Sequence, residues 1–149
     1  MIIYTIGFTG KHADQFFEAI KQKNIKLLID IRLHNKTQLA GFTKGGEHDL
    51  GYLLKEICNC GYEHRKEYAP TKKILDDYKK DKITWAEYEV KYNFLMDERE
   101  AVKDFVTCYN GVYDAVCLLC AEPTPEHCHR RLLAEKIAEK LGDAEIIHL

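Results

Sequence analysis

Apolar residues in this chain follow two rhythms that take turns along its length. Unbroken runs at Ile2–Ile6, Ile25–Ile31 and Ala115–Cys120 predict buried strands, and Tyr62–Arg65 and Glu145–His148 predict two weaker ones. Between them come stripes stepping by threes and fours. Ala13, Phe16, Phe17 and Ile20 share one helix face. Leu50, Leu53, Leu54 and Ile57 share another, opened by Asp49 and closed near Gly61. Ala69-Pro70-Thr71 starts a short helix through Ile74, Leu75 and Tyr78. The box Thr84-Trp85-Ala86-Glu87 opens the longest helix, whose stripe runs Trp85, Tyr88, Tyr92, Leu95, Val102, Val106, Tyr109 with a gap at Arg99. After Cys120, Thr124 can cap and Pro125 suits the first position of a helix that carries Leu133, Ile137 and Leu141 and stops at Gly142. Strands alternating with helices predict a single α/β domain over residues 1–149. Its sheet is mostly parallel, about five strands wide and covered by helices on both faces, in Rossmann-like or flavodoxin-like layering.

Composition narrows the function classes. At 46% apolar and 31% charged residues the chain reads as a soluble globule, long enough to bury a core. No apolar run nears the roughly 20 residues of a membrane span, so no membrane partner is expected. The start MIIYTIGF reads directly as a strand rather than as a leader, so the expectation is a cytoplasmic protein whose six cysteines stay reduced. In that setting the Asn35-Lys36-Thr37 sequon has no role. A net charge of −2 argues against a generally basic nucleic-acid binder. Yet Lys and Arg outnumber Asp and Glu in segments 32–48, 64–73 and 126–131. If all three follow strands, Arg32, Lys36, Lys44, Arg65, Lys72, Lys73 and Arg130 form a basic rim that a polynucleotide would engage.

Candidate chemistry concentrates in Asp114–Arg131, DAVCLLCAEPTPEHCHRR, and at the end of the second strand, where Asp30 and Arg32 point to one face. Three function classes follow. The first is an anion pocket at the strand C-terminal ends for a phosphate-bearing small molecule, nucleotide or nucleic acid. It would use the helix-start N–H groups, His129 and Arg130 one turn in, Arg32 and the neighbouring Gly7. Asp30 and Glu122 are its candidate catalytic carboxylates, able to hold magnesium against a phosphate. Ion pairs of Arg32 with Asp30 and of Arg130 with Glu122 would account for the same residues without a ligand. The second class is a cysteine-based enzyme, thiol/redox or zinc-assisted, using Cys128 and Cys120. Cys128, near a helix start and beside His129 and Arg130, is expected to favour thiolate. A Cys-x5-Arg anion loop is absent, because that count reaches Glu126 from Cys120 and Ala134 from Cys128. Cys117 and Cys120, three apart in a strand, face opposite sides and cannot share an ion. Cys120, Cys128 and His129 can, although no metal is assigned. His127 and His129 diverge on a helix and will not chelate together. The third class is a non-catalytic interaction domain whose motifs are structural. Neither GxGxxG nor GxxxxGK[ST] occurs, so no nucleotide cofactor follows from the fold, and none is assigned.

Tyr4-Thr5-Ile6-Gly7, Asp30-Ile31-Arg32, and Leu119-Cys120-Ala121-Glu122 followed by Cys128-His129-Arg130 resemble the marks of domain-of-unknown-function family 488. Asn35 to Phe42 (NKTQLAGF) and Ala69-Pro70-Thr71 look like one branch of it. Phe8 departs from the pattern, since many relatives carry histidine there. The resemblance implies an α/β domain with its site at these motifs, and no particular activity.

Overall fold

The two rhythms become an all-parallel sheet and its covering helices in the computed structural model, which describes residues 1–36 and 41–149. Strands β1 (Ile2–Gly7), β2 (Leu27–Asp30), β3 (Gly61–His64), β4 (Ala115–Cys120) and β5 (Glu145–His148) stand in the order β3-β2-β4-β1-β5. Helices α1 (Ala13–Gln22), α2 (Leu50–Cys58), α3 (Lys72–Lys79), α4 (Trp85–Glu98), α5 (Ala101–Tyr109) and α6 (His129–Leu141) connect them. Residues 37–40, at the centre of the NKTQLAGF motif and the end of the sequon, lie outside the described residues. Among the described residues no helix is long and apolar enough to cross a membrane.

Strand pleating sorts the apolar runs onto two faces. Ile3, Leu27, Ile29, Val116 and Leu118 pack with Tyr88, Tyr92, Met96, Phe105, Leu133 and Ile137 from α4, α5 and α6. The alternate residues Tyr4, Ile6, Leu28, Cys117 and Leu119 pack with Phe16, Phe17, Ile20, Leu50 and Leu54 from α1 and α2. Both faces of β4 are covered, which is why its sequence is apolar at every position rather than at every second one.

Three expected boundaries move, each for a local reason. The longest helix is two. Tyr88, Tyr92 and Met96 step by four along α4, and Ala101, Phe105 and Tyr109 step by four along α5. The five-residue step between these sets would rotate the second stripe off the core, so the chain breaks at Arg99 and Glu100. Glu100 takes a left-handed φ of 49°, and Arg99 Nη1 donates to the carbonyls of Glu67 at 2.9 Å and Ala69 at 2.8 Å. Second, α2 is closed by Asn59 in the left-handed conformation, while Gly61 already begins β3. Third, α6 starts at His129 with Cys128 as its N-cap, not at Pro125. Pro125 disfavours helical backbone at Thr124. The Cys128 N–H turns back to the Pro125 carbonyl at 3.2 Å, a tight turn that places the helix start four residues later.

Sheet order fixes where a site can form. From β2 the chain leads outward to β3, and from β4 it leads the other way, past β1 to β5. The connections diverge and leave a crevice over the C-terminal ends of β2 and β4.

Candidate functional site

In that crevice lies a cleft of ≈ 410 Å³. Arg32 and His34 line it from beyond β2, Cys120 to Thr124 from the end of β4, Cys128 and His129 from the start of α6, and Leu75, Tyr78, Trp85 and Tyr88 from α3 and α4. Trp85 and Tyr88 also belong to the packed core: their rings stack at 4.8 Å, and His127 rests on Trp85 at 5.1 Å. His127 is exposed whereas His129 is buried, the divergence that their spacing predicts.

Cys120, Cys128 and His129 meet at the cleft floor and are only 5%, 2% and 6% exposed. Cys120 Sγ stands 3.8 Å from Nδ1 and 3.7 Å from Nε2 of the His129 ring. His129 Nε2 donates to the Ile31 carbonyl at 3.0 Å. A carbonyl only accepts, so Nε2 carries a proton, and Nδ1 has Tyr88 Oη 3.4 Å away. Cys128 Sγ lies within 4.8 Å of Cys120 Sγ. Hydrogen bonding with Cys128 does most to hold the Cys120 thiol below its usual value; the backbone at Ala121 and Glu122 and the Arg130 charge assist, against the opposing effect of burial. Cys128 moves the other way: burial pushes it well above the usual thiol range, and its bond to Cys120 adds to the effect. The lowered thiol expected at Cys128 falls at Cys120 instead. The expectation rested on Cys128 lying inside a helix start, whereas it precedes the helix.

Arg130 is 1% exposed. Its Nη1 donates to the Glu122 carbonyl at 2.6 Å and to Cys128 Sγ at 3.4 Å, while Nε is buried with no hydrogen-bond partner. The expected pairing with the Glu122 carboxylate does not form. Glu122 contributes only its backbone here, and its side chain is exposed at the cleft rim. Gly7 explains the close approach: it sits level with Cys120 in the sheet register, and a Cβ there would stand 1.7 Å from the Glu122 carbonyl oxygen.

Asp30 and Arg32 do pair. Arg32 Nε donates to Asp30 Oδ1 at 2.8 Å and Nη2 to Oδ2 at 2.7 Å, in a pair whose side chains are 0% and 4% exposed. Burial pulls the Arg32 guanidinium down, but the Asp30 hydrogen bond and charge outweigh it and leave its pKa raised. Tyr62 Oη donates to Asp30 Oδ2 at 2.7 Å, so both carboxylate oxygens carry donors. Arg32 Nη2 also donates to the Thr43 carbonyl at 3.0 Å, and Nη1 is buried without a hydrogen-bond partner. The Arg32 guanidinium lies 5.1 Å over the Phe8 ring, at the position where relatives were expected to carry histidine.

The basic rim is largely neutralised by acids that, Glu67 apart, lie outside the three segments that suggested it. Lys72 pairs with Asp76 at 2.7 Å, Lys73 with Asp77 at 2.8 Å and Lys44 with Asp49 at 3.3 Å. Arg65 is held by Glu63, Glu67 and Asp104. Counting charge by segment misses these partners, because Asp104 is far along the chain and Asp76 and Asp77 are a helix turn beyond the lysines. Sequence reasoning also missed Tyr62 and the Ile31 carbonyl, whose roles depend on how β2 lies beside β3 and α6. Tyr88 was legible only as a packing residue.

Fold and site together define an open α/β protein with a buried Cys–Cys–His centre at the switch point of its sheet. The chain belongs to the family described as domain of unknown function DUF488, whose profile matches residues 12–137. No curated protein and no solved structure matches it. The matched span includes Asp30, Arg32, Cys120, Glu122 and the Cys128-His129-Arg130 run, and begins after Gly7.

Proposed function

We propose that this chain is a cysteine-dependent enzyme whose chemistry runs through the sulfur of Cys120, on a small ligand held in the cleft over β2 and β4. One observation carries the reading: a buried guanidinium with no carboxylate partner touches one sulfur of a buried cluster formed by Cys120, Cys128 and the His129 ring. Buried charges are costly unless compensated. Among the described residues Arg130 has one carbonyl and one thiol as hydrogen-bond acceptors, and the sulfur of that thiol, Cys128, lies within 4.8 Å of the Cys120 sulfur. A Cys120 thiolate supplies the missing negative charge, and His129 stands against the same sulfur as a proton-handling group. The cleft wall of Leu75, Tyr78, Trp85 and Tyr88 favours a ligand with an apolar or flat body.

An anionic ligand is a second reading, favoured by one observation: Arg32, on the cleft wall, has Nη1 buried and without a hydrogen-bond partner. Iodoacetamide labelling of the folded, reduced, chelator-treated protein at neutral pH, read by mass spectrometry, tests both. The exposed thiol of Cys108 is an internal reference. Cys120 should label at least as fast as Cys108 and far faster than Cys117, and Cys128→Ala should slow it by removing a donor. Inorganic phosphate should slow the labelling if the ligand is anionic, and its lack of effect removes that second reading. Labelling of Cys120 no faster than that of Cys117 defeats the cysteine reading.

A further inference from the structure

We infer that Cys120 Sγ, Cys128 Sγ and Nδ1 of His129 form a three-ligand site for a soft divalent cation, zinc above others, with a fourth position open to the cleft. The inference rests on the reading of Cys120 and Cys128 as a working pair and says what that pair holds. The two sulfurs and a ring nitrogen lie within 4.8 Å of one another, and all three residues are buried. Zinc bonds of about 2.3 Å to sulfur and 2.0–2.1 Å to nitrogen at a tetrahedral angle place sulfur and nitrogen roughly 3.5 Å apart. Cys120 Sγ is already 3.8 Å from Nδ1.

Surrounding groups match what such ions require. A ligating histidine needs its other nitrogen tied to an acceptor, which fixes the tautomer. Here the Ile31 carbonyl does that for Nε2 at 3.0 Å, which leaves Nδ1 as the nitrogen open to an ion. One sulfur is hydrogen-bonded too: Cys128 accepts from Arg130 Nη1 at 3.4 Å. Thiolate and imidazole donors together select zinc over magnesium, calcium or manganese. On binding, Cys128 gives up its thiol proton to solvent and both sulfurs become thiolates, so the site is neutral with a divalent ion.

Ligand count separates this site from a structural one. Among the described residues no fourth Cys, His, Asp or Glu joins the set. Closed structural zinc sites have four protein ligands, whereas catalytic ones have three and leave a place for water or substrate. All three ligand residues line the cleft, so the fourth position faces the ligand space. An ion there would lower the pKa of its bound water or polarise a bound oxygen.

Cobalt titration of the reduced full chain, followed by zinc competition, tests the site. The expected result is one Co²⁺ per chain, with the strong visible bands of a tetrahedral ion and a sulfur-to-cobalt charge-transfer band, both lost when zinc is added. Cys120→Ser and Cys128→Ser should each weaken binding at least 100-fold, and His129→Asn at least 10-fold, whereas Cys117→Ser should leave it unchanged. Circular dichroism establishes that each variant is folded. A measurement on the unaltered chain guards against variants that fail to fold: zinc should raise its urea midpoint, as any ligand of the native state does. Absence of stoichiometric cobalt binding by the unaltered chain, or binding that survives Cys120→Ser, overturns the inference. Rapid labelling of Cys120 in chelator-treated protein with no metal binding leaves the cysteine reading standing and removes the metal. Slow labelling with no metal binding removes both.

Discussion

Gly7→Ala tests whether the sheet and the site are one construction. A Cβ at Gly7 would stand 1.7 Å from the Glu122 carbonyl oxygen, 2.8 Å from its carbonyl carbon and 2.9 Å from Arg130 Nη1. Carbon and oxygen normally approach to about 3.3 Å, so the 121–123 backbone must retreat by roughly 1.5 Å. That retreat pulls the Glu122 carbonyl away from Arg130 Nη1, now 2.6 Å distant. Overpacking of this kind costs about 1–3 kcal/mol, and loss of a hydrogen bond to a charged group about 1.5–3 kcal/mol. A loss of roughly 3–5 kcal/mol is expected, a large share of the 5–15 kcal/mol typical of a folded domain. Gly10→Ala is the control: its φ is +80° but nothing lies within 4 Å of the added carbon, so only backbone strain of about 1–2 kcal/mol should appear. Urea denaturation at constant m-value measures both. A Gly7→Ala loss under about 1 kcal/mol, or one no larger than that of Gly10→Ala, would refute the claimed tight contact.

Two further predictions probe the buried charges and thiols. Asp30→Ala strands the Arg32 guanidinium, 4% exposed, and should cost about 3–5 kcal/mol in urea denaturation, while Asp30→Ala with Arg32→Met should recover most of it; a single-variant loss near zero would show that the pair is not structural. Burial pushes the Cys60 thiol up to about 12 from an ordinary 9.0, so the unfolded chain gives up this proton first. Stability from this residue is therefore complete below about pH 9 and falls as pH rises from 9 toward 12, by at most roughly 4 kcal/mol. Stability against pH should be measured for the unaltered chain and Cys60→Ala; parallel curves above pH 9 would contradict this.

Local rhythm is enough to determine the strand and helix identities of this protein. An unbroken apolar run such as Ala115–Cys120 can only be satisfied by burial on both sides, and that demands a parallel sheet between helix layers. The stripe Ala13, Phe16, Phe17, Ile20 has one apolar face and so one way to pack. Strand alternation likewise separates Cys117 from Cys120, and the order of motifs along the chain points to the strand C-terminal ends. Each of these follows from residues within one or two turns of each other.

What needed the tertiary structure is everything that depends on partners distant in sequence. The pairing of β2 with β4 decides that the Ile31 carbonyl meets His129 Nε2, and so which ring nitrogen is free. The register of β1 against β4 sets Gly7 under Glu122, and with it the carbonyl that Arg130 holds. Spacing alone left Arg130 equally able to meet the Glu122 carboxylate. Helix phase decided the break at Glu100, because a five-residue step is invisible until the core direction is known. The lowered thiol moved from Cys128 to Cys120 for the same reason. A thiol's pKa is set by the donors and charges around it in space, and seven residues of intervening chain say nothing about which sulfur is lowered and which is raised.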